Sequence, residues 1–429
     1  LRPDPRTYPM ALLLFLPHRM PFPPDKGDKI RSYHLLRHLA ARHEVTLATF
    51  IDDPADEVHV DAVRALCHEA HFERLHPRLG RVRSLAALLT GEPMTLRYYR
   101  HAALAAAVRG AAARRPFDAA VVFSSSMAPY AEALDGTPML LDLVDVDSAK
   151  WAAYAPRHRW PMSWPLAREA RTLLAYERDA TRRARCTFLC TEQERELFHR
   201  LAPEARGRVE VLRNGVDADH FRPDPAVPSP FAADEVPVVF TGAMDYWPNV
   251  DAVTWFVQAM LPVLRQTRPS LRFWIVGRNP APEVQRLAGE AVRVTGTVPD
   301  VRPYLQHAAA VVAPLRVARG IQNKILEAMA MARPVVTVGS CAAAIDGAGA
   351  DELLVADTEA AQVAAGEGLL ADPARAVRIG TAARRRIVDT YSWPAALSPL
   401  DRWLELALRP APAAASSSLP AATAAAIVP

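Results

Sequence analysis

Short apolar runs alternate with stretches in which apolar residues recur every three or four positions, and this rhythm passes along the chain twice. Residues 11–16, 45–50, 119–123, 139–144, 186–190 and 209–212 are runs of strand length. Residues 30–41, 61–70 and 102–115 carry helical spacing, as Ile30, Leu35, Leu36 and Leu39 illustrate. Apolar runs bounded by turn residues suit strands buried on both faces, and helices between them make βαβ units with parallel strands. Residues 222–237 are rich in proline and lack periodicity, which reads as a linker. The rhythm then restarts, with strands predicted over 238–240, 271–276, 292–294, 308–314 and 335–338. Helices are predicted over 249–264, 301–307, 321–333, 374–390 and 396–408. The fold class is therefore α/β, built as two Rossmann-like units over 10–221 and 237–395 joined by 222–236. Residues 409–429 hold Ala, Pro and Ser with no charge after Arg409, which predicts a disordered tail.

Composition narrows the function classes. The 429 residues exceed one typical domain, and half of them are apolar, enough for full cores. A net charge of +4, interspersed along the chain, does not call for nucleic acid, but it allows an anionic membrane or a phosphate-bearing substrate. Cys67, Cys186, Cys190 and Cys341 lack metal-ligand spacing and read as buried thiols in a reducing compartment. No run approaches the roughly 20 apolar residues of a membrane span. The apolar run at 11–16 is too short for a signal-peptide core, which leaves a cytoplasmic protein as the expectation. Met10 is a plausible translation start.

One stretch organises the rest. Residues 308–314 form an apolar strand, followed by a basic loop with Arg316, Arg319 and Gly320 and a helix that Pro334 terminates. Free N–H groups at the helix start, the helix dipole and three cations (Arg316, Arg319, Lys324) make an anion site suited to a diphosphate. Glu327, one turn in, would accept hydrogen bonds from ribose hydroxyls. An ordinary βα unit with a solvated charged face explains the same residues equally well. In the first half, Gly27 before a helix permits close substrate approach, with Lys29 and Arg31 beside it, and a surface loop with solvated charges is the competing reading. The first-half loop lacks the spacing of a nicotinamide-dinucleotide fingerprint. Asp142, Asp145 and Asp147 follow a strand end, where catalytic carboxylates are often placed. They fit either a base or acceptor ligand, or a turn capping the next helix. Residues 151–174 mix Trp151, Tyr154, Trp160 and Trp164 with arginines, which suits a membrane interface or core packing with a basic face. Residues 169–184 read as a charged, exposed helix. Thr191 and Glu194 form a capping box.

The stretch Gly320-Ile321-Gln322-Asn323-Lys324-Ile325-Leu326-Glu327-Ala328-Met329-Ala330, with Pro334-Val335-Val336, resembles the donor-site motif of family 4 glycosyltransferases, which have the GT-B fold. Asn214-Gly215-Val216-Asp217 with Phe221 is similar to the segment that closes the first domain in that family. The resemblance covers nearly the whole chain except the tail. With Gly27-Asp28-Lys29-Ile30-Arg31-Ser32 and 144–151, it is closest to sugar transferases of PEP-CTERM/exosortase and exopolysaccharide gene clusters. It implies two domains facing across a cleft and a helix, 396–408, crossing back onto the first. It implies transfer from a nucleotide-diphosphate sugar to a glycan or polyprenyl-linked acceptor, with retention, no cofactor and no metal. A peripheral contact with the inner membrane belongs to the same expectation. Donor contacts carried over are Gly242, Asn249, Gly277, Val298, Arg316, Arg319, Gly320, Ile321, Gln322, Asn323, Lys324 and Glu327. Gly27, Lys29 and Arg31 fall on the acceptor side, and Lys324 and Asp145 are the catalytic candidates. The chain departs from the family pattern in three places. Arg319 stands where an acid is usual, and Ala243 and Asn249 stand where diphosphate-clamping cations are usual, so Arg316, Arg319 and Lys324 are expected to supply that charge. A sugar-nucleotide epimerase, or a non-catalytic binding protein on this scaffold, are the alternatives.

Overall fold

The structure, a computed structural model, describes residues 10–24, 26–318, 320–345 and 349–409. Residues 1–9, Arg319 and the predicted tail beyond Arg409 lie outside them. The first sheet is wholly parallel and has seven strands in the order β3-β2-β1-β4-β5-β6-β7. These are β1 (Leu12–Pro17), β2 (Glu44–Ile51), β3 (Glu69–Arg74), β4 (Ala119–Phe123), β5 (Met139–Val144), β6 (Cys186–Leu189) and β7 (Val209–Val211). The second is parallel with six strands, β10-β9-β8-β11-β12-β13. It comprises β8 (Val236–Thr241), β9 (Leu271–Val276), β10 (Val292–Gly296), β11 (Ala310–Ala313), β12 (Val335–Thr337) and β13 (Leu354–Val355). All residues of β1 and β4 are buried, as strands with helices on both faces require.

Each sheet has one point where the strand order reverses, between β1 and β4 and between β8 and β11. Ligands of such sheets bind there, beyond the carboxyl ends of the strands. Both halves of the candidate site lie at these two points.

Three differences from the sequence expectation have physical causes. The helix expected over 61–70 ends at Arg64, and β3 follows. This edge strand is only partly buried, so its polar residues hide the strand signal. The helix Ser163–Arg183 buries Arg168, Glu169, Glu177 and Thr181, against the expectation of an exposed helix. The expected 249–264 helix is interrupted by a π-turn at Phe256–Met260.

The chain passes between the sheets twice. Val216 N–H donates to the Tyr391 carbonyl at 2.7 Å, and a methyl group added to Gly215 would lie 2.6 Å from the Trp393 ring. Only glycine admits that approach. Trp393 stacks on His34 at 4.4 Å between centroids. The final helix, Ser398–Leu408, sends Leu400, Leu404 and Ala407 into the same core as Leu13, Phe15 and Val121 of the first sheet.

Candidate active site

The second sheet positions a lysine over a glycine bend. After β8, Gly242 N–H donates to the Val276 carbonyl at 3.0 Å. A methyl group on the neighbouring Gly277 would fall 1.6 Å from the Gly242 carbonyl oxygen, so both positions need bare backbone. The short helix Asn323–Ala330 opens after β11, with Ile325, Leu326, Ala328, Met329 and Ala330 buried against the sheet. Its other face carries Lys324 and Glu327. Lys324 Nζ donates to Asn249 Oδ1 at 2.6 Å and lies 4.1 Å from the centre of the Phe240 ring. Asn249 Nδ2 donates to the Ala243 carbonyl at 2.8 Å, which fixes the amide. Lys324 Nζ would lie 3.0 Å from a methyl on Gly242.

Desolvation lowers the Lys324 ammonium to about 7, with Glu327 opposing the shift. Desolvation raises Glu327 to about 7, with Lys324 opposing. Among the described residues the Glu327 carboxylate has no hydrogen-bond partner. A poorly solvated cation and an unpaired acid on one helix face gain by meeting an anion and neutral hydroxyls, respectively.

The other expected donor residues are placed as follows. Ile321 is buried in the second core, and Val298 packs against that core from after β10. Asn323 opens the helix, and Gln322 stands at its N-cap without a side-chain capping bond. Gly320 takes φ +64°, and a methyl there would lie 3.8 Å from Asp145 Oδ1 of the first half, so the two halves face each other at this point. Arg316 is engaged elsewhere: Nε donates to Asp251 Oδ2 at 3.0 Å and the guanidinium stacks over Trp255 at 5.0 Å. Of the expected clamp cations, Lys324 is placed at Gly242 and Arg316 is not, while Arg319 lies outside the described residues.

The first sheet forms a cavity of about 680 Å³ beyond the ends of β1, β4 and β5, lined among others by His18, Gly27, Ser124, Asp145, Lys150 and Trp151. Two non-glycine residues on its wall have left-handed backbone, Ser124 with φ +82° and Val144 with φ +67°. Asp145 N–H donates to the Leu143 carbonyl at 2.8 Å, closing a three-residue turn around Val144. Such a turn is strained for a β-branched residue, and stored strain of this kind clusters at functional sites. Its effect is to turn Asp145 toward the cavity. Asp145 Oδ1 accepts from the Cys190 thiol at 2.9 Å, and Oδ2 pairs with Lys150 Nζ at 2.9 Å. Burial alone would raise this carboxyl, but Lys150, the Cys190 thiol and Arg31 outweigh it and hold it below its ordinary value. Asp145 is an ionised hydrogen-bond acceptor.

Lys29 corrects the expectation that it binds acceptor, whereas Arg31 lines the cavity with its guanidinium already engaged. Lys29 is buried and its Nζ pairs with Asp56 Oδ2 at 2.6 Å. Arg31 is buried too. Its Nε donates to Asp142 Oδ2 at 2.8 Å, and its remaining nitrogens reach Asn214 Oδ1 at 2.9 Å and the Leu212 carbonyl at 2.7 Å. Arg31 ties the first helix to the end of β5 and the start of the interdomain passage. Asp142 is therefore spent on structure.

Sequence reasoning missed the carboxylates that hold the cavity wall. From the helix Ser163–Arg183, Glu169 accepts from Met94 N–H at 2.6 Å and Thr95 N–H at 2.9 Å. Glu177 accepts from Ser148 N–H at 3.2 Å and from its hydroxyl at 2.5 Å. Each caps the start of a short wall helix. Glu194 forms the capping-box bond to Thr191 and also reaches the cavity wall. Its N–H meets Thr191 Oγ1 at 3.1 Å, while its carboxylate accepts from Val146 N–H at 2.8 Å. Among the described residues no group of three His, Cys, Asp or Glu is arranged to hold a metal ion, and no helix is long and apolar enough to cross a membrane.

A family model described as glycosyl transferase 4-like domain matches residues 29–215, and one described as glycosyl transferases group 1 matches 235–372. No curated protein sequence matches. Sucrose-phosphate synthase from Thermosynechococcus elongatus is structurally similar at 18% identity and a TM-score of 0.67, over 93% of this chain and 99% of that one. HepE of Anabaena, in complex with UDP and glucose, aligns at 15% identity and a TM-score of 0.61, over 92% and 100%. WaaG, a glycosyltransferase involved in lipopolysaccharide biosynthesis, aligns at 16% and 0.59, over 90% and 98%.

Proposed function

We propose, for a chain that belongs to the GT-B glycosyltransferases, that it moves a sugar from a nucleotide-diphosphate sugar to a hydroxyl of a glycan or polyprenyl-linked acceptor, with retention and without a metal. The observation that carries this reading is Lys324 reaching Gly242 and Asn249 beside a helix start, with Glu327 unpaired one turn on. Lys324 and the free N–H groups of that helix take up charge on the diphosphate as the bond to the sugar breaks. Glu327 accepts hydrogen bonds from the ribose. Asp145, across the gap from Gly320, orients the acceptor hydroxyl. HepE, crystallised with UDP and UDP-glucose, makes uridine the first base to test. The cavity on the first sheet favours transfer over epimerisation, since an epimerase needs no acceptor. Synthesis of an exopolysaccharide or surface glycan is the role we assign.

The test is calorimetric titration of UDP and GDP into the protein and into Lys324→Ala. One nucleotide should bind to the parent and fail to bind to the variant. Failure of both nucleotides to bind the parent would leave a non-catalytic scaffold as the better account. Donor consumption without any added acceptor would point to the epimerase.

A further inference from the structure

Free N–H groups at helix starts attract anions unless a carboxylate already meets them. Three helices begin at the wall of the 680 Å³ cavity, and at each the chain supplies its own acid. Asp28 stands in the first turn of Gly27–Ala40. Glu169 takes the Met94 and Thr95 N–H groups at the start of Met94–Tyr98. Asp147 opens Asp147–Tyr154, and Glu177 takes Ser148 N–H there. The cations on the wall are engaged as well. Lys150 Nζ lies 2.9 Å from Asp145 Oδ2 and 3.0 Å from Asp147 Oδ1. Arg31 is held by Asp142 and Asn214, and His18 stands 3.5 Å from Asp28. Among the described residues, no basic side chain on this wall is without a carboxylate beside it.

The helix Asp147–Tyr154 turns one face to the cavity. Asp147, Lys150, Trp151 and Tyr154 all line it, and they stand at i, i+3, i+4 and i+7. Trp151 and Tyr154 meet edge to face at 6.2 Å between centroids. Tyr98, Tyr99 and Phe123 supply further rings to the wall. A pyranose is apolar over the faces made by its axial C–H groups and polar around its rim of hydroxyls. Aromatic faces, which carry negative charge, suit the C–H surface, and carboxylates suit the hydroxyl protons. The cavity also has the size of a small-molecule site, for which roughly 300–1,000 Å³ is usual.

We propose that this cavity takes the terminal sugar of the acceptor as an uncharged ring, stacked on Trp151 with its hydroxyls on Asp145 and Asp147, and turns away groups that bear phosphate or carboxylate. An incoming anion would meet acids at the places where N–H groups and cations could have received it, so rejection is built into the wall. The inference deepens the transfer reading and rests on it for its purpose: the acceptor narrows to a glycan end that already carries a neutral sugar. A transferase that installs an uncharged sugar must therefore act before this one.

The experiment is saturation-transfer NMR on the full chain without nucleotide. Cellobiose, maltose and lactose serve as neutral probes, and glucose 6-phosphate, glucuronic acid and farnesyl phosphate as anionic ones. At least one neutral disaccharide should receive saturation, on the ring protons of one face, and the anions should receive none. Trp151→Ala should weaken the neutral probe about 10-fold, and Trp151→Phe should restore most of the loss. Asp145→Asn/Asp147→Asn releases Lys150 from both acids and should admit glucose 6-phosphate, read as broadening of its phosphorus resonance, a gain that an unfolded chain would not mimic. The proposal falls if no neutral sugar binds, if an anionic probe binds the parent as tightly, or if the double variant still excludes phosphate. Binding of farnesyl phosphate alone would overturn it in favour of a polyprenyl phosphate acceptor. Since these measurements contain no nucleotide, failure of the UDP and GDP titration would sink the donor reading and leave this result standing.

Discussion

At the end of β8, Lys324 is held by a single amide and an aromatic face, whereas beyond β1 the cations Lys29 and Arg31 are locked into carboxylates and carbonyls. The two sheets share an order and a reversal point, and all three cations occupy helices that follow strands of these sheets. They differ in what the cation has already met. Lys324 feels Glu327 only at a distance, without an ion-pair contact, and keeps a lowered affinity for its proton, so an incoming diphosphate supplies what burial removed. Arg31 lines the cavity but is already engaged by Asp142, Asn214 and the Leu212 carbonyl, so a ligand would have to compete with those bonds for it. The comparison shows that a cation's position in a βα unit does not reveal its role; the identity of its resident partner does.

Arg31→Ala should give the largest effect on stability. It strands the buried Asp142 carboxylate and frees the Leu212 carbonyl, at a cost of about 3–5 kcal/mol. Urea unfolding would measure it, and a loss under about 1 kcal/mol would make Arg31 no more than a surface-type pair. Lys324→Met should behave in the opposite way. Donor turnover should fall by about 10²–10³-fold, as for other charge-stabilising donors, while the midpoint of urea unfolding holds or rises, because a desolvated charge has gone. A variant that loses both would erase the contrast between the halves.

pH sharpens the comparison further. Lys324 sits near 7 from above and Glu327 near 7 from below. As pH rises through 7 the lysine loses the charge that attracts diphosphate; as pH falls through 7 the glutamate takes a proton and stops accepting from hydroxyls. Nucleotide affinity should therefore peak close to neutrality, and Glu327→Gln should flatten the acid limb. Calorimetry at three pH values would settle it, and a flat parent profile would dissociate the pair from binding.

The last contrast needs no ligand and concerns Glu177, whose carboxyl burial carries up to about 8 despite its bonds to Ser148. Its folded value exceeds its unfolded one, so the folded state holds the extra proton and stability should decline as pH rises from about 4.5 to 8. Glu177→Gln should remove that slope with little change near pH 5. An unchanged slope would place the titration elsewhere.

Much of the fold was legible because buried parallel strands read as apolar runs: β4, β5 and β9 fall on the expected residues. The helix bearing Lys324 and Glu327 was legible too, because its buried face repeats at helical spacing. What the sequence could not convey was pairing over long separations. Lys29 meets Asp56, and Arg31 meets an aspartate more than a hundred positions away, so both looked free. Glu169 and Glu177 looked solvated because the backbone N–H groups they cap belong to other helices. A stripe from Leu79 to Leu89 has the spacing of a core helix, and only the structure reveals that it faces outward.

The final helix carries a consequence for biosynthesis. Leu400, Leu404 and Ala407 complete the core on which Leu13, Phe15 and Val121 already lie. During translation the first sheet is made early and Leu35, Leu36 and Leu39 cover part of one face, yet the rest of that face stays uncovered until the helix Ser398–Leu408 clears the ribosome. The nascent first half must therefore wait, with exposed leucines, while the second half is synthesised and folds. A chaperone holding that bare face would be most needed during that interval.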